Sequence, residues 1–351
     1  MPAAHGTPEG HPRREPGWPF SLVPSLRRRN SRRNLLSNTP PIEQRDAATL
    51  RVSLETATGI VRRHVDPGLT VVSERKLVGG SINKVVEWVL DGPPRSVVAK
   101  LNTSRHLSGF HREMQSLRIH REVNALTVPL PIAVLEDEPG FDGSGLLMEF
   151  IPGVTLGDAR LSDRGRRRFQ ADLADHVARL HQLTRPTFGS ALEPAGETRW
   201  IDNFRPTLEK AFGRVRDSLP SSHRFVIEDV LSNLESWIPE QATPTLVHGD
   251  LWGNNLLIDD RHPDSPRINA FIDVTASYCD PEYELAYLRM FNTAEDAFFE
   301  RYRKRHPLRS GYDRRFRIYW LATILRHVQV FGEKYVPATD TIIQQIRDLR
   351  G

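Results

Sequence analysis

Cysteine is nearly absent from this 351-residue chain, which holds only Cys279. An internal disulfide and a cysteine-cluster zinc site are both excluded, and a reducing, cytoplasmic setting is expected. A small buried or loop residue is the simpler reading of Cys279, because no dedicated His partner is evident for a catalytic thiol. No run approaches the roughly eighteen apolar residues of a membrane span, so no membrane partner is expected. No internal repeat is apparent. A basic body is also lacking: the net charge is +4, but residues 1–42 hold seven arginines against Glu9 and Glu15, leaving −1 on the rest. The basicity belongs to the tail, and no nucleic-acid partner is expected.

That tail carries eight of the 26 prolines, including Pro16, Pro19, Pro40 and Pro41, and has no periodicity. Residues 1–45 are therefore expected to be disordered. Arg27-Arg28-Arg29 with Arg32-Arg33 has two readings, a contact or targeting segment for anionic surfaces and an extended start without a role. A long apolar h-region of the secretory type is missing. The remainder, in a chain that is 38% hydrophobic, is large enough to bury a sizeable core in a body of about 300 residues.

The most informative stretch is His248-Gly249-Asp250-Leu251-Trp252-Gly253-Asn254-Asn255-Leu256-Leu257, followed by Ile272-Asp273-Val274. It sets a carboxylate, an amide and a second carboxylate at the ends of short apolar runs, as kinase-type phosphoryl transfer requires. Asp250 is placed as the base that takes the proton of an attacking hydroxyl, with Asn255 and Asp273 as Mg²⁺ ligands. A hard cation takes oxygen donors and needs only one or two from the protein. The spacing alone also suits an N-cap Asp and a turn Asn. The flanks favour the first reading: Leu256-Leu257-Ile258 and Ile268 to Ile272 are short apolar strands around a polar turn, a hairpin that brings Asn255 and Asp273 together.

Upstream lies a matching nucleotide half. Ser96-Val97-Val98-Ala99-Lys100-Leu101 is a β-branched run ending near a Lys suited to phosphates, and Glu113, on a helical pattern, is its candidate partner. Gly79, Gly80 and Ser81 lie between strand-like runs at Thr70–Leu77 and Lys84–Leu90. Adjacent glycines let backbone amides approach phosphate oxygens, although a plain hairpin turn fits equally. Gly145 to Ile151, stopping at Pro152-Gly153, reads as a strand running into a linker whose backbone, at Glu149 and Ile151, would take an adenine edge; an ordinary buried strand is the other reading.

The order of these parts resembles the aminoglycoside phosphotransferase and fructosamine kinase superfamily. The His-Gly-Asp-Leu-Trp wording is most similar to the fructosamine (ketosamine) kinases. Leu180-His181-Gln182-Leu183, Phe188-Gly189, Trp200 to Phe204, Asp280 to Ala286 and the stretch from Tyr319 to Tyr335 extend the resemblance over about residues 52 to 335. It implies an α+β, two-lobed, protein-kinase-like fold. A small N-terminal antiparallel β lobe with one helix would span 46–150, and a larger, mainly helical lobe with catalytic loop and acceptor site 151–351. It implies ATP and Mg²⁺ as cofactors and the hydroxyl of a small sugar or amino-sugar acceptor, above all a fructosamine or ketosamine. The departures cluster on the acceptor side. Only ten residues separate Gly189 from Trp200, where the family carries a longer segment, and Val274-Thr275-Ala276-Ser277-Tyr278 replaces a Pro-Ala-x-Tyr-Tyr pattern. Ser81 stands where some relatives place a Cys.

In the C-terminal half, Ser162 is a candidate N-cap for a helix with Phe169, Leu173, Val177 and Leu180 on one face. Further helices are expected over about 201–218, 222–237, 281–291 and 313–333. His181 reads as a packed core histidine, and Trp252 as a sugar-stacking ring or an aromatic plug. Two classes of function compete. A kinase-like non-catalytic binding module would usually lack one of Lys100, Asp250, Asn255 or Asp273, and all are present. Within the enzymes, the alternative to a ketosamine kinase is an aminoglycoside or other antibiotic phosphotransferase, whose polycationic acceptor would call for an acidic wall; Glu282, Glu284, Glu295, Asp296 and Glu300 are its candidates.

Overall fold

The computed structural model describes residues 50–77, 82–239 and 242–349. The expected disorder of residues 1–45 and the turn at Gly79, Gly80 and Ser81 lie outside them. The N-terminal part is a five-stranded antiparallel sheet. Its strands are β1 (Val71–Lys76), β2 (Lys84–Leu90), β3 (Ser96–Asn102), β4 (Pro131–Leu135) and β5 (Ser144–Glu149), in the order β1-β2-β3-β5-β4. Valines recur in β2 (Val85, Val86 and Val89) and β3 (Val97 and Val98), as a pleated and buried surface favours. In β3 all but Ser96 are buried.

Two helices accompany this sheet. The expected one, α2 (Leu107–Val123), follows β3 and buries Phe110, Met114 and Leu117. The other, α1 (Leu54–His64), precedes β1 and was not anticipated. It is opened by Ser53, whose Oγ accepts the Thr56 N–H at 3.0 Å, a satisfied N-cap. Only Ala57, Ile60 and Val61 are buried in a largely polar segment, so its apolar stripe is too short to stand out as a period. Those residues join Val86, Trp88, Leu101 and Leu147 in a core on one sheet face. The opposite face, through Val98, Leu146 and Met148, merges with α2 and the C-terminal helices into one larger core.

After β5 the chain passes through Phe150–Gly153 to β6 (Val154–Thr155) and α3 (Asp163–Leu180). Ser162 caps α3 as expected, its Oγ accepting the Gly165 N–H at 3.1 Å. Next come β7 (Gly189–Ser190), α4 (Trp200–Val215), α5 (Ser221–Ser232) and α6 (Leu234–Trp237). The single helix expected over 222–237 is thus two pieces. Between them, Asn233 turns its amide back onto Asp229 O at 3.0 Å and Asp229 Oδ1 at 3.1 Å, a local side-chain competition with the helix.

β8 (Thr245–Val247) leads into the His248–Asp250 loop and a short 3₁₀ turn at Gly253–Asn255. β9 (Leu256–Asp259) and β10 (Arg267–Phe271) form the expected hairpin, with β6 on its outer side. β11 (Ser277–Cys279) pairs with both β7 and β8. Helices α7 (Pro281–Met290), α8 (Asp296–Tyr302), α9 (Tyr312–Phe331) and α10 (Val336–Asp348) complete the body. α10 was not anticipated; it buries Ile342, Ile343 and Ile346. Among the described residues, no helix is long and apolar enough to cross a membrane.

The short stretch between Gly189 and Trp200 is a closed loop. Phe188 and Glu197 exchange backbone hydrogen bonds at 2.7 and 3.1 Å. Arg185 stitches it, donating to the carbonyls of Thr187, Ser190 and Glu193 at 2.7, 3.0 and 3.1 Å while its guanidinium lies 4.4 Å from the Tyr278 ring centre.

Candidate active site

Lys100 sits on β3, the middle strand of the sheet, and is almost completely buried. Its ammonium donates to the carboxylate of Glu113 on α2, as expected, and also to that of Asp273. Burial alone would lower the Lys100 pKa. The Asp273 and Glu113 carboxylates outweigh it and raise the pKa, so the side chain stays charged across the neutral range. Lys100 thereby bridges the sheet and the hairpin end.

Asp273 lies two residues beyond β10 with φ +59°, a left-handed conformation costly for a non-glycine residue and typical of functional sites. The backbone ties it to Asn255: the Ile272 N–H donates to the Asn255 carbonyl at 3.0 Å. Asn255 Nδ2 in turn donates to the Asp250 carbonyl at 2.8 Å and to Asp250 Oδ2 at 3.0 Å. That orientation leaves Asn255 Oδ1 for a cation. A carbonyl oxygen beside the Asp273 carboxylate fits the oxygen preference of Mg²⁺.

Asp250 is held on its other oxygen by a residue that sequence reasoning missed. The Tyr287 hydroxyl, on α7, donates to Asp250 Oδ1 at 2.6 Å. Burial pushes the Asp250 carboxyl up to about 6, opposed by the hydrogen bonds from Tyr287 and Asn255 and reinforced by Asp273. No local signal marks Tyr287, since its meeting with Asp250 depends on how α7 packs beneath the loop.

The loop itself is anchored from below. Gly249 has φ +84°, and a Cβ there would meet Thr275 Oγ1 at 2.0 Å, so only glycine fits. Its N–H donates to Glu284 Oε1 at 2.7 Å, while Glu284 Oε2 lies 3.0 Å from His181 Nε2 and His181 Nδ1 lies 2.7 Å from the Tyr302 hydroxyl. His181 is thus a packed core residue, as expected, and it also supports the loop through Glu284. His248 is fully buried; burial lowers its pKa. Its Nδ1 accepts the Asp250 N–H at 3.3 Å.

The acidic wall does not assemble. Glu284 is spent on the loop, and Glu282 is buried against Arg315 at 2.6 Å and Arg309 at 3.0 Å. Glu295 pairs with Arg166 at 2.8 Å and Asp296 with Arg289 at 2.5 Å. Only the exposed Glu300 is left of the five, because arginines pair with Glu282, Glu295 and Asp296 while Glu284 is taken by His181 and the Gly249 N–H. Trp252 is half-buried with its ring 5.9 Å from Phe291, and Phe291 continues to Tyr287 at 4.6 Å and His327 at 5.3 Å. These rings form a shelf beside Asp250. Burial pushes the Cys279 thiol up, away from any nucleophilic role.

The linker residues are placed differently from one another. The Glu149 N–H donates to the Leu130 carbonyl and its carboxylate accepts the Leu130 N–H, both at 2.9 Å. Its side chain therefore serves the β4–β5 edge. Ile151 follows in the irregular segment after β5.

A small sheet with a buried Lys–Glu pair, linked to a helical half that offers Asp250, Asn255 and Asp273 around one hairpin, defines a phosphotransferase of protein-kinase-like fold. A family model described as fructosamine kinase matches residues 54–349, and the chain belongs to that family of phosphotransferases. It is 29% identical over 300 residues to an Enterococcus faecium protein named a probable ketoamine kinase, covering 78% of this chain and 98% of that one. The structure of a Haemophilus somnus protein named as a fructosamine-3-kinase superposes with a TM-score of 0.66 at 20% identity, covering 83% of this chain and 97% of the other. The GDP complex of aminoglycoside 2'-phosphotransferase-IIIa superposes with a TM-score of 0.60 at 16% identity, covering 86% and 100%. At those identities the two solved structures establish the fold.

Proposed function

We propose that this chain is an ATP-dependent kinase that phosphorylates a sugar hydroxyl of a ketosamine. The observation that carries the reading is Asp250, a buried carboxylate oriented by Tyr287 and Asn255 beside the Lys100–Glu113–Asp273 cluster. Asp250 takes the proton of the acceptor hydroxyl as its oxygen attacks the γ-phosphorus, and the bond from that phosphorus to the bridging oxygen of ADP breaks. Lys100, oriented by Glu113, holds the α- and β-phosphates. Gly79, Gly80 and Ser81 are assigned to the same phosphates on their residue types, and the backbone at Glu149 and Ile151 to the adenine. Asn255 Oδ1 and the Asp273 carboxylate would hold Mg²⁺, which when bound neutralises charge on the phosphates. A nucleotide-binding part over 46–150 and an acceptor part over 151–351, working in the cytoplasm, complete the reading.

Two observations favour a ketosamine over an aminoglycoside. One is membership of the fructosamine kinase family. The other is the internal pairing of Glu282, Glu284, Glu295 and Asp296, which takes up four of the five candidate carboxylates for a polycation-binding wall.

The test couples ADP release to a panel of fructoselysine- and ribulosamine-type ketosamines, amino sugars and aminoglycosides. A phosphate on the third carbon, beside the ketone, is a leaving group once the sugar enolises toward the amine-bearing carbon. The product should therefore lose inorganic phosphate on warming and, on hydrolysis, free the amine and a dicarbonyl fragment. An aminoglycoside phosphate ester survives the same treatment. Robust turnover of an aminoglycoside without ketosamine-dependent ADP release overturns the ketosamine assignment.

A further inference from the structure

Arg326 occupies an unusual place on α9. The face of α9 that packs on α7 runs through Tyr319, Thr323 and His327, four residues apart. Tyr319 lies 5.3 Å from the Tyr283 ring and His327 5.3 Å from Phe291. Tyr283, Tyr287 and Phe291 recur at the same spacing on α7, so successive levels of the two helices face each other. Arg326 directly precedes His327, whose ring packs on Phe291, and Phe291 in turn lies 4.6 Å from the Tyr287 ring, whose hydroxyl is on Asp250. Its positive charge also favours the ionised form of Asp250, the smallest of the influences on that carboxyl.

The neighbouring arginines of α9 are all engaged. Arg315 holds Glu282, Arg317 holds Asp313, and Arg314 lies over Trp237. Arg326 is exposed, and among the described residues it has no ion-pair, hydrogen-bond or ring partner. An unpaired guanidinium at the rim of an aromatic shelf, next to the base, is an anion receptor: its planar fork matches a carboxylate. A second cation, Lys334, lies 5.6 Å and 5.5 Å from the Phe331 and Tyr335 rings farther along that shelf, where His327 packs on both rings.

We propose that Arg326 binds a carboxylate on the amine part of the acceptor, so that the favoured substrate is a ketosamine formed on the α-amine of a free amino acid. The inference rests on the ketosamine reading and narrows it. In such a molecule the carboxylate carbon is six bonds from the third-carbon oxygen that meets Asp250, close enough to be held by the same rim. In an ε-glycated lysine it is four bonds farther away. A polycationic acceptor is repelled by the same charge.

The experiment compares Nα-fructosylglycine with fructosylmethylamine, which differ only by the carboxylate, using ADP release by the full chain. The ratio of their kcat/KM values is read within one preparation and does not depend on the folded fraction. A charge-assisted contact at an exposed rim predicts a ratio of about tenfold in favour of fructosylglycine. It should fall toward one in Arg326→Ala, persist in part in Arg326→Lys and fall at least as far in Arg326→Glu. A wild-type ratio of one, or a ratio unchanged in Arg326→Ala, overturns the inference while the ketosamine reading stands. A preference for the 6-phosphate of fructosylmethylamine with no carboxylate preference also overturns it. Absence of ADP release with either ketosamine defeats the ketosamine reading and this inference with it.

Discussion

The Tyr287 hydroxyl donates to Asp250 Oδ1 at 2.6 Å, so a helix that packs beneath the catalytic loop controls the charge of the proposed base. The bond stabilises the carboxylate form, and its loss in Tyr287→Phe should raise the Asp250 pKa further. Hydrogen bonds to charged groups are worth about 1.5–3 kcal/mol, roughly one pH unit or more. The acid limb of kcat/KM should move up by about one unit, with a larger loss of rate at pH 6 than at pH 8. An acid limb that stays in place would show that Tyr287 only packs.

The two carboxylates should separate by phenotype. With Asp250 raised to about 6 by burial, wild-type activity should be lost as pH falls through about 6, because a base must be ionised. Asp250→Asn should retain nucleotide affinity by calorimetry while turnover drops about 10²- to 10⁴-fold. Asp273→Ala should lose Mg²⁺-dependent nucleotide binding and turnover together. Normal turnover in Asp250→Asn would remove the assignment of the base.

Gly249 is predicted to be irreplaceable at its position. Gly249→Ala combines a φ of +84° with a Cβ 2.0 Å from Thr275 Oγ1. The expected cost is about 1–3 kcal/mol in urea denaturation, together with reduced turnover. Adding Thr275→Ala should recover part of the stability by relieving the clash and leave the backbone strain in place. No recovery in the double variant would point to strain alone.

Glu284 gives a stability prediction with a sign. Burial by itself would raise its pKa, but His181, His248 and the Gly249 N–H outweigh that and hold it below the ordinary 4.5. A depressed carboxylate contributes stability that is complete above its unfolded-state value and is lost as pH falls through the folded one. Glu284→Gln should therefore cost stability that is constant from pH 8 to about 5 and shrinks at lower pH. Glu284→Ala, which strips Gly249 and His181 of their buried partner, should cost about 3 kcal/mol at pH 7. A Glu284→Gln deficit that does not change below pH 4.5 would disprove the linkage.

The pairing of Lys100 with Glu113 and the hairpin that ties Asn255 to Asp273 were legible in the order of residues. Lys100, Asn255 and Asp273 lie at or near the ends of strands whose β-branched and apolar runs announce them, and the hairpin between β9 and β10 follows from two such runs around a polar turn. The acceptor side was not. Glu284 read as a candidate for an acidic wall and is a buried anchor of the loop. Glu282, Glu295 and Asp296 read the same way and are each matched to an arginine, from 7 to 129 residues away in the chain. Helices α1 and α10 escaped notice because each buries only a few apolar residues in a polar segment.

The sequence by itself determined several of the longer strands, the main helices, the family and the chemical identity of the groups assigned to the phosphates, because these depend on local pattern and on short spacings. Only the tertiary structure decided which oxygen of Asp250 meets Tyr287, that Lys100 reaches Asp273 across 173 residues, and that Arg326 is left without a partner among the described residues, at the rim of the aromatic shelf. Those relations turn on the rotation of α7 and α9 about their axes and on which charges find partners once buried. A single chain of residues carries no trace of either until it is packed.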